Sequence, residues 1–235
     1  MIVHETLATA IGQNARLVVT PVADKATLDV AASADLTMSS DVVELRIDGL
    51  TDCLDLAEQF ARSCQRPILL TVRDQREGGA KPLSLVQRTE LYNRYLEVAS
   101  AIDIEVQCLR DLAGVVEAAK KEGKLVVASA HDFARMPVRS QIDALAQHSS
   151  EDADIFKIAA TPADLSEVFS LAKFVSEADF GLPVSAMGMG KFGKISRLVC
   201  AQAGSVLNYG YLSHPNAPGQ WPSAQLRSLI ADLEE

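Results

Sequence analysis

Short apolar, β-rich runs recur along the chain at Leu17–Thr20, Val42–Ile47, Ile68–Val72, Ile102–Val106, Leu125–Ser129, Asp154–Ile158, Pro183–Met187 and Ser205–Tyr209. Between them the apolar residues fall at helical spacing, as in Leu83–Ala101, Leu112–Glu122 and Leu165–Ala178. An amphipathic stretch from Ser223 to Leu233 follows the eighth run. Strands that alternate with helices imply right-handed βαβ units and a parallel sheet. Eight such units in 235 residues match a (β/α)₈ barrel in count and length, with a doubly wound open sheet as the alternative.

Side-chain parity favours the barrel. Period-two alternation through Val42-Val43-Glu44-Leu45-Arg46-Ile47-Asp48 puts Glu44, Arg46 and Asp48 on one face and Val43, Leu45 and Ile47 on the other. A face carrying three charges cannot be the one that packs against helices. The same reading separates Asp103 and Glu105 from Ile102, Ile104 and Val106, and Arg73 closes the run Ile68–Val72. Any one of these charges could be solvated at a sheet edge. Repeated over several otherwise apolar strands, they converge on a shared polar interior.

Lys157 is the sharpest chemical signal, because it interrupts the apolar run Asp154-Ile155-Phe156-Lys157-Ile158-Ala159-Ala160. Burial disfavours the ammonium ion and makes the neutral amine available as a nucleophile toward a carbonyl. His131 stands at the end of the preceding apolar run, in Ala130-His131-Asp132-Phe133, and supplies a proton carrier beside that amine. The pairing points to imine chemistry at the C-terminal ends of the strands, where barrel active sites lie.

Composition narrows the setting. With 48% hydrophobic, 5% aromatic and 23% charged residues, and no Pro/Gly/Ser-rich break, the chain reads as one globular domain over residues 1–235. Its four cysteines are scattered and lack a Cys-x-x-Cys pair, which indicates neither a zinc site nor a disulfide framework. The start of the chain has no basic region leading into an apolar core, and no run approaches the roughly 18 apolar residues of a membrane span, so a cytoplasmic protein is expected. A net charge of −9 argues against nucleic-acid or membrane-surface partners and leaves room for a small anionic substrate held by local arginines.

Taken together in order and spacing, the motifs resemble type I 3-dehydroquinate dehydratase from about Val18 to Ile230. They are Glu44-Leu45-Arg46-Ile47-Asp48, Thr71 through Gly79, Ile102-Asp103-Ile104-Glu105, Ser129-Ala130-His131-Asp132-Phe133 and Lys157-Ile158-Ala159. Met187-Gly188 through Ile195-Ser196-Arg197 and Ala217-Pro218-Gly219-Gln220 complete the set. The resemblance implies a (β/α)₈ barrel needing no metal or cofactor, acting on 3-dehydroquinate in the shikimate pathway. It implies that Lys157 forms a Schiff base, that His131 is the general acid/base and that Glu77 assists the histidine. It further implies that Arg197 pairs with the substrate carboxylate, that Glu44, Arg46 and Arg73 hold substrate hydroxyls, and that Gln220 belongs to a loop closing over the site. Asn216 stands where the family often has Ser or Thr; either it reaches the substrate through its amide or it caps the turn before Pro218. Asp48, Asp103 and Glu105 are read as neutralising nearby arginines. A homodimer is left open.

Two competitors remain. A class I aldolase of similar fold would also use a lysine on the sixth strand. The run Gly188-Met189-Gly190-Lys191-Phe192-Gly193 satisfies Gly-x-Gly-x-x-Gly, but it follows the seventh strand and lacks a following acidic strand end. It is read instead as a flexible loop whose glycines let the backbone approach the substrate, with Lys191 and Lys194 adding positive potential.

Overall fold

In the computed structural model, which describes residues 2–13 and 15–233, all eight strands are present and parallel. Residues 1, 14, 234 and 235 of the expected domain span lie outside the described residues. The strands are β1 (Leu17–Val22), β2 (Val42–Arg46), β3 (Ile68–Thr71), β4 (Ala101–Glu105), β5 (Leu125–Asp132), β6 (Ile155–Ala160), β7 (Val184–Gly188) and β8 (Leu207–Tyr209). Their order, β7-β6-β5-β4-β3-β2-β1-β8, runs in sequence around the sheet, which excludes the doubly wound alternative.

The helices are α1 (Ile2–Gly12), α2 (Lys25–Ser33), α3 (Leu54–Ser63), α4 (Leu85–Tyr95), α5 (Ala113–Lys121), α6 (Arg139–Ser149), α7 (Leu165–Ser176), α8 (Gly193–Gln202) and α9 (Ser223–Asp232). Local chemistry sets several of their starts. Asp164 accepts the Glu167 N–H at 2.9 Å and so caps α7. Ser84 and Gln87 form a reciprocal capping box at α4. The α4 expectation ran too far: the helix ends at Tyr95, a tight turn covers Leu96–Val98, and Ala101 already belongs to β4. Apolar Leu96, Val98 and Ala101 continue the helical spacing but are recruited by the turn and the strand. Helix α1 was not among the expected elements; its Leu7 and Ile11 pack with Val42, Leu69, Ala101, Val127 and Ile155 in one apolar cluster.

Inward-facing positions change character along each strand. They read Val42, Glu44, Arg46 on β2; Ala101, Asp103, Glu105 on β4; Val127, Ser129, His131 on β5; and Ile155, Lys157, Ala159 on β6. The apolar member of each series joins the α1 cluster, and the polar members occupy the C-terminal half. The alternate positions Val43, Leu45, Ile102, Ile104, Val126 and Ala128 lie in the larger core shared with the helices. Strand β5 continues to Asp132, with His131 paired in register with Ala159, so the histidine sits within the strand rather than beyond its tip.

The barrel closes at a seam between β7 and β8 where no regular ladder forms. Val206 N–H donates to Val184 O at 3.1 Å, Ala186 N–H donates to Ser205 Oγ at 3.0 Å, and Ser185 Oγ donates to Leu207 O. Ser205 is fully buried, so Ser205→Ala removes the acceptor of a buried backbone N–H. A loss of about 1–3 kcal/mol in urea unfolding is expected; an unchanged midpoint would show that the seam does not depend on this hydroxyl.

Candidate active site

Lys157 has a carboxylate partner that the sequence reading did not assign to it. Its side chain is buried, its Nζ donates to Asp103 Oδ2 at 2.6 Å and to the Tyr209 hydroxyl at 3.1 Å, and it lies 4.5 Å from the centre of the Tyr209 ring. Glu44 Oε1 is 4.0 Å from the same nitrogen. The other Asp103 oxygen accepts from Arg73 Nη2 at 2.7 Å and Ser129 Oγ at 2.6 Å. Burial alone would raise the Asp103 carboxyl, but the Arg73 and Lys157 charges override it and hold the group well below the usual carboxylate range. Strand register makes this junction: β4 and β6 flank β5, Ser129 pairs with Lys157 across the ladder, and Asp103 reaches over Ser129 to the amine.

His131 and Glu77 form a second unit. Glu77 ends the short turn Gln75–Glu77 after β3, where Asp74 accepts the Arg76 N–H at 2.8 Å, and its side chain is only 11% exposed. Its Oε2 lies 2.9 Å from His131 Nδ1 and accepts the His131 backbone N–H at 3.0 Å, while Oε1 accepts from Gln107 Nε2 at 2.7 Å. The carboxylate is therefore held rather than solvated. Burial pushes Glu77 up to about 7, with Arg73 opposing and Glu105 adding to the rise. Burial, then the positive charges of Arg73 and Lys157, hold His131 well below the ordinary imidazole value of 6.5. When Glu77 is ionised it only accepts, and in that state Nδ1 carries the ring proton and Nε2 keeps its lone pair. Phe133 stacks on the imidazole at 6.4 Å between centroids, and Gly78 leaves it room, since a Cβ there would stand 2.7 Å from the Phe133 ring.

The arginines divide into two kinds. Arg46 is locked to Asp48 by two bonds of 2.9 and 2.8 Å, and Arg73 is shared among Asp103, Glu105 and Ser129. Asp48 lies in the turn Ile47–Gly49 rather than on β2, but it still meets Arg46. Arg88, from α4, adds a second cation on Glu105 and is bound to Val72 O at 3.0 Å. Arg197 differs: it is buried, yet its donors go to the carbonyls of Gly188, Gly193, Gly219 and Tyr209, each at 2.8 Å. Among the described residues it takes part in no salt bridge, and burial brings its guanidinium down to about 10. It is a fixed cation left for an anion from outside.

The glycine run after β7 is built into a turn and the start of a helix. Gly190–Phe192 make one tight turn and Gly193 opens α8. A Cβ at Gly193 would lie 2.7 Å from Gly219 O, and one at Gly219, where φ is +78°, 2.3 Å from Gly190 O. The glycines thus let two loops pack together and turn their carbonyls onto Arg197. Lys191 lies over Phe192 at 5.2 Å and Lys194 over Trp221 at 4.4 Å, and neither lines the cleft. Gln220 caps the β8–α9 loop itself, its Oε1 accepting the N–H groups of Asn216 and Ala217 at 2.7 and 3.2 Å. That assigns the turn to Gln220 and leaves the exposed Asn216 side chain at the cleft wall.

All nine residues singled out from the sequence line one cleft of about 690 Å³, mouth included: Lys157, His131, Glu77, Glu44, Arg46, Arg73, Arg197, Asn216 and Gln220. Tyr209, Phe133, Met187 and Met189 line it as well and were not anticipated. Tyr209 could have been found as the second residue after the inward Leu207 on β8.

A family model described as Type I 3-dehydroquinase matches residues 17–235. The 3-dehydroquinate dehydratase of Enterococcus faecalis is 31% identical over 96% of this chain and 95% of its own. Among solved structures, the Geobacillus kaustophilus 3-dehydroquinate dehydratase superposes with a TM-score of 0.83 at 26% identity, covering 93% of this chain and 91% of that one. The type I enzyme of Clostridium difficile, solved with covalently modified comenic acid, gives 0.82 at 26% identity over 93% and 92%.

The Glu77 carboxyl gives a stability test. Because its folded value of about 7 lies above the ordinary 4.5, the folded state binds more protons between those pH values. Its contribution is therefore lost as pH rises through that window, by at most about 3 kcal/mol. Glu77→Gln removes the titration, so in denaturant unfolding the variant should gain on the wild type between about pH 4 and about pH 8. Parallel curves would show that the group is not perturbed.

Proposed function

The chain belongs to the type I 3-dehydroquinase family, and on that premise we propose that it eliminates water from 3-dehydroquinate through an imine on Lys157, with His131 as the proton carrier. The overall reaction is that of the hydro-lyase EC 4.2.1.10, 3-dehydroquinate to 3-dehydroshikimate and water, in the shikimate pathway. Family membership removes the aldolase and nucleotide-binding alternatives. One observation carries the mechanism: a buried amine shares a cleft with a largely buried imidazole and with an arginine that, among the described residues, has no carboxylate partner. The covalently modified ligand in the C. difficile relative also supports a covalent route.

The amine attacks the C3 ketone, and loss of water gives a protonated imine that withdraws electrons from C2. His131 Nε2 takes the C2 proton, and the Nδ1–H bond to Glu77 stabilises the imidazolium that forms. The same proton then goes to the C1 hydroxyl as it departs, and water releases the conjugated enone from Lys157. Arg197 fixes the substrate carboxylate by a charge-assisted pair, while Glu44, Arg46 and Arg73, themselves held by protein partners, face the hydroxyls. Asn216 reaches the substrate from the mouth of the cleft.

Borohydride added during turnover should trap a stable mass increase on the peptide carrying Lys157. His131→Ala should accumulate that adduct while turnover falls by roughly 10² to 10⁴-fold. A Lys157→Ala enzyme with normal turnover, followed by the ultraviolet absorbance of the enone, would remove the mechanism. Arg197→Ala is expected to raise KM more than it lowers kcat, since the carboxylate is bound in ground and transition states alike. An unchanged KM would take the carboxylate away from Arg197.

A further inference from the structure

Imine formation moves two protons from the Lys157 nitrogen to the ketone oxygen, and the group that carries them has to reach that nitrogen. Asp103 touches Nζ, but its carboxylate is an acceptor tied to Arg73 and Ser129 and has no proton to hand on. Among the described residues His131 makes no hydrogen bond to Nζ; its ring nitrogen Nδ1 is bound to Glu77. The other group hydrogen-bonded to Nζ is Tyr209, at the end of β8, whose hydroxyl accepts from Nζ at 3.1 Å. Among the described residues that hydroxyl has no acceptor for its own proton, and it lines the cleft. The tyrosine is rigidly mounted: it is buried, and its carbonyl accepts from Arg197 Nε at 2.8 Å.

We propose that the Tyr209 hydroxyl is the proton shuttle of imine formation, a catalytic group acting on Lys157 Nζ. This rests on Lys157 being the imine-forming amine. In the first transfer an Nζ–H bond breaks and its proton passes to the tyrosyl oxygen, while the tyrosyl O–H proton passes to the ketone oxygen. The freed nitrogen lone pair forms the N–C bond, giving a carbinolamine whose nitrogen keeps two protons and the positive charge. A second transfer along the same path moves one of those protons to the carbinolamine hydroxyl, which leaves as water as the C=N bond forms. The product is the protonated imine, the tyrosine is regenerated, and no outside acid or base is consumed. Burial, reinforced by Glu44 and Asp103, holds the phenol well above its ordinary value of 10, which keeps it protonated between transfers. A hydroxyl that both accepts and donates is suited to this relay; a phenyl ring of the same shape is not.

The test follows adduct formation with 3-dehydroquinate by rapid mixing, borohydride quench and mass spectrometry. In Tyr209→Phe the rate of adduct formation should fall by about 10- to 100-fold, and the deuterium isotope effect of 2-deuterated substrate on kcat should drop toward unity as imine formation becomes limiting. Adduct formation at the wild-type rate would overturn the shuttle. In the unsubstituted enzyme, the same rate measured across H₂O/D₂O mixtures should bow downward, because each transfer moves two protons together; a straight line would also overturn it. That second measurement decides the matter even if Tyr209→Phe folds poorly. Lys157→Ala separates the two levels: an adduct that persists there sinks the imine assignment itself, whereas its loss alongside a wild-type rate in Tyr209→Phe sinks only the shuttle.

Discussion

Two cations, Lys157 and Arg73, project into the interior of one barrel, and a single carboxylate between them, Asp103, makes that arrangement tolerable. Moving an ion from water to a dry interior costs on the order of 20 kcal/mol in the ideal Born limit, and the real cost is still several kcal/mol per ion. Attraction offsets this only when the geometry is close and the remaining donors and acceptors are filled. Asp103 meets both conditions: one oxygen serves Lys157, and the other serves Arg73 and Ser129. Glu105 repeats the device above it, joining Arg73 to Arg88 on α4. The barrel interior is thus an alternating lattice of charge, and the amine is fixed in position by the lattice as a whole.

Against this balance, two groups stand out by what they lack. Arg197 has carbonyl dipoles around it instead of an acid, so an anion in the cleft completes it. His131 is held below the ordinary imidazole range by burial first and then by the Arg73 and Lys157 charges, which preserves a base. Glu77 is pushed the opposite way by burial and remains within reach of the imidazole. The same low-dielectric environment that demands pairing elsewhere here leaves the histidine neutral.

Backbone crowding supports the electrostatics. Gly193 and Gly219 have no room for a Cβ, because the loops after β7 and β8 are pressed together around the Arg197 guanidinium, and at Gly188 a Cβ would meet Ser196 and Pro162. Gln220 then ties the outer loop through two backbone N–H groups. Function at this end of the barrel depends on where carbonyls and amides point, which no side-chain list records.

Much was legible in the chain alone because side-chain period is a local property. The alternation of charge and aliphatic residues at Glu44, Arg46, Asp103 and Glu105 identified the interior face, and the isolation of Lys157 among apolar neighbours marked the amine. Helix ends were less legible, as at α4, because apolar spacing continues through turns and into strands. What the sequence determined was therefore which residues face inward and what chemistry they carry. Tertiary structure decided the partners: that Asp103 reaches over Ser129 to Lys157, that Tyr209 closes on the same nitrogen from the last strand, and that the glycines serve Arg197. Those pairings depend on strand stagger and on the meeting of residues 52 to 54 positions apart, and hydrogen bonds, unlike hydrophobic periodicity, are set by three-dimensional distance and direction that no run of neighbouring residues encodes.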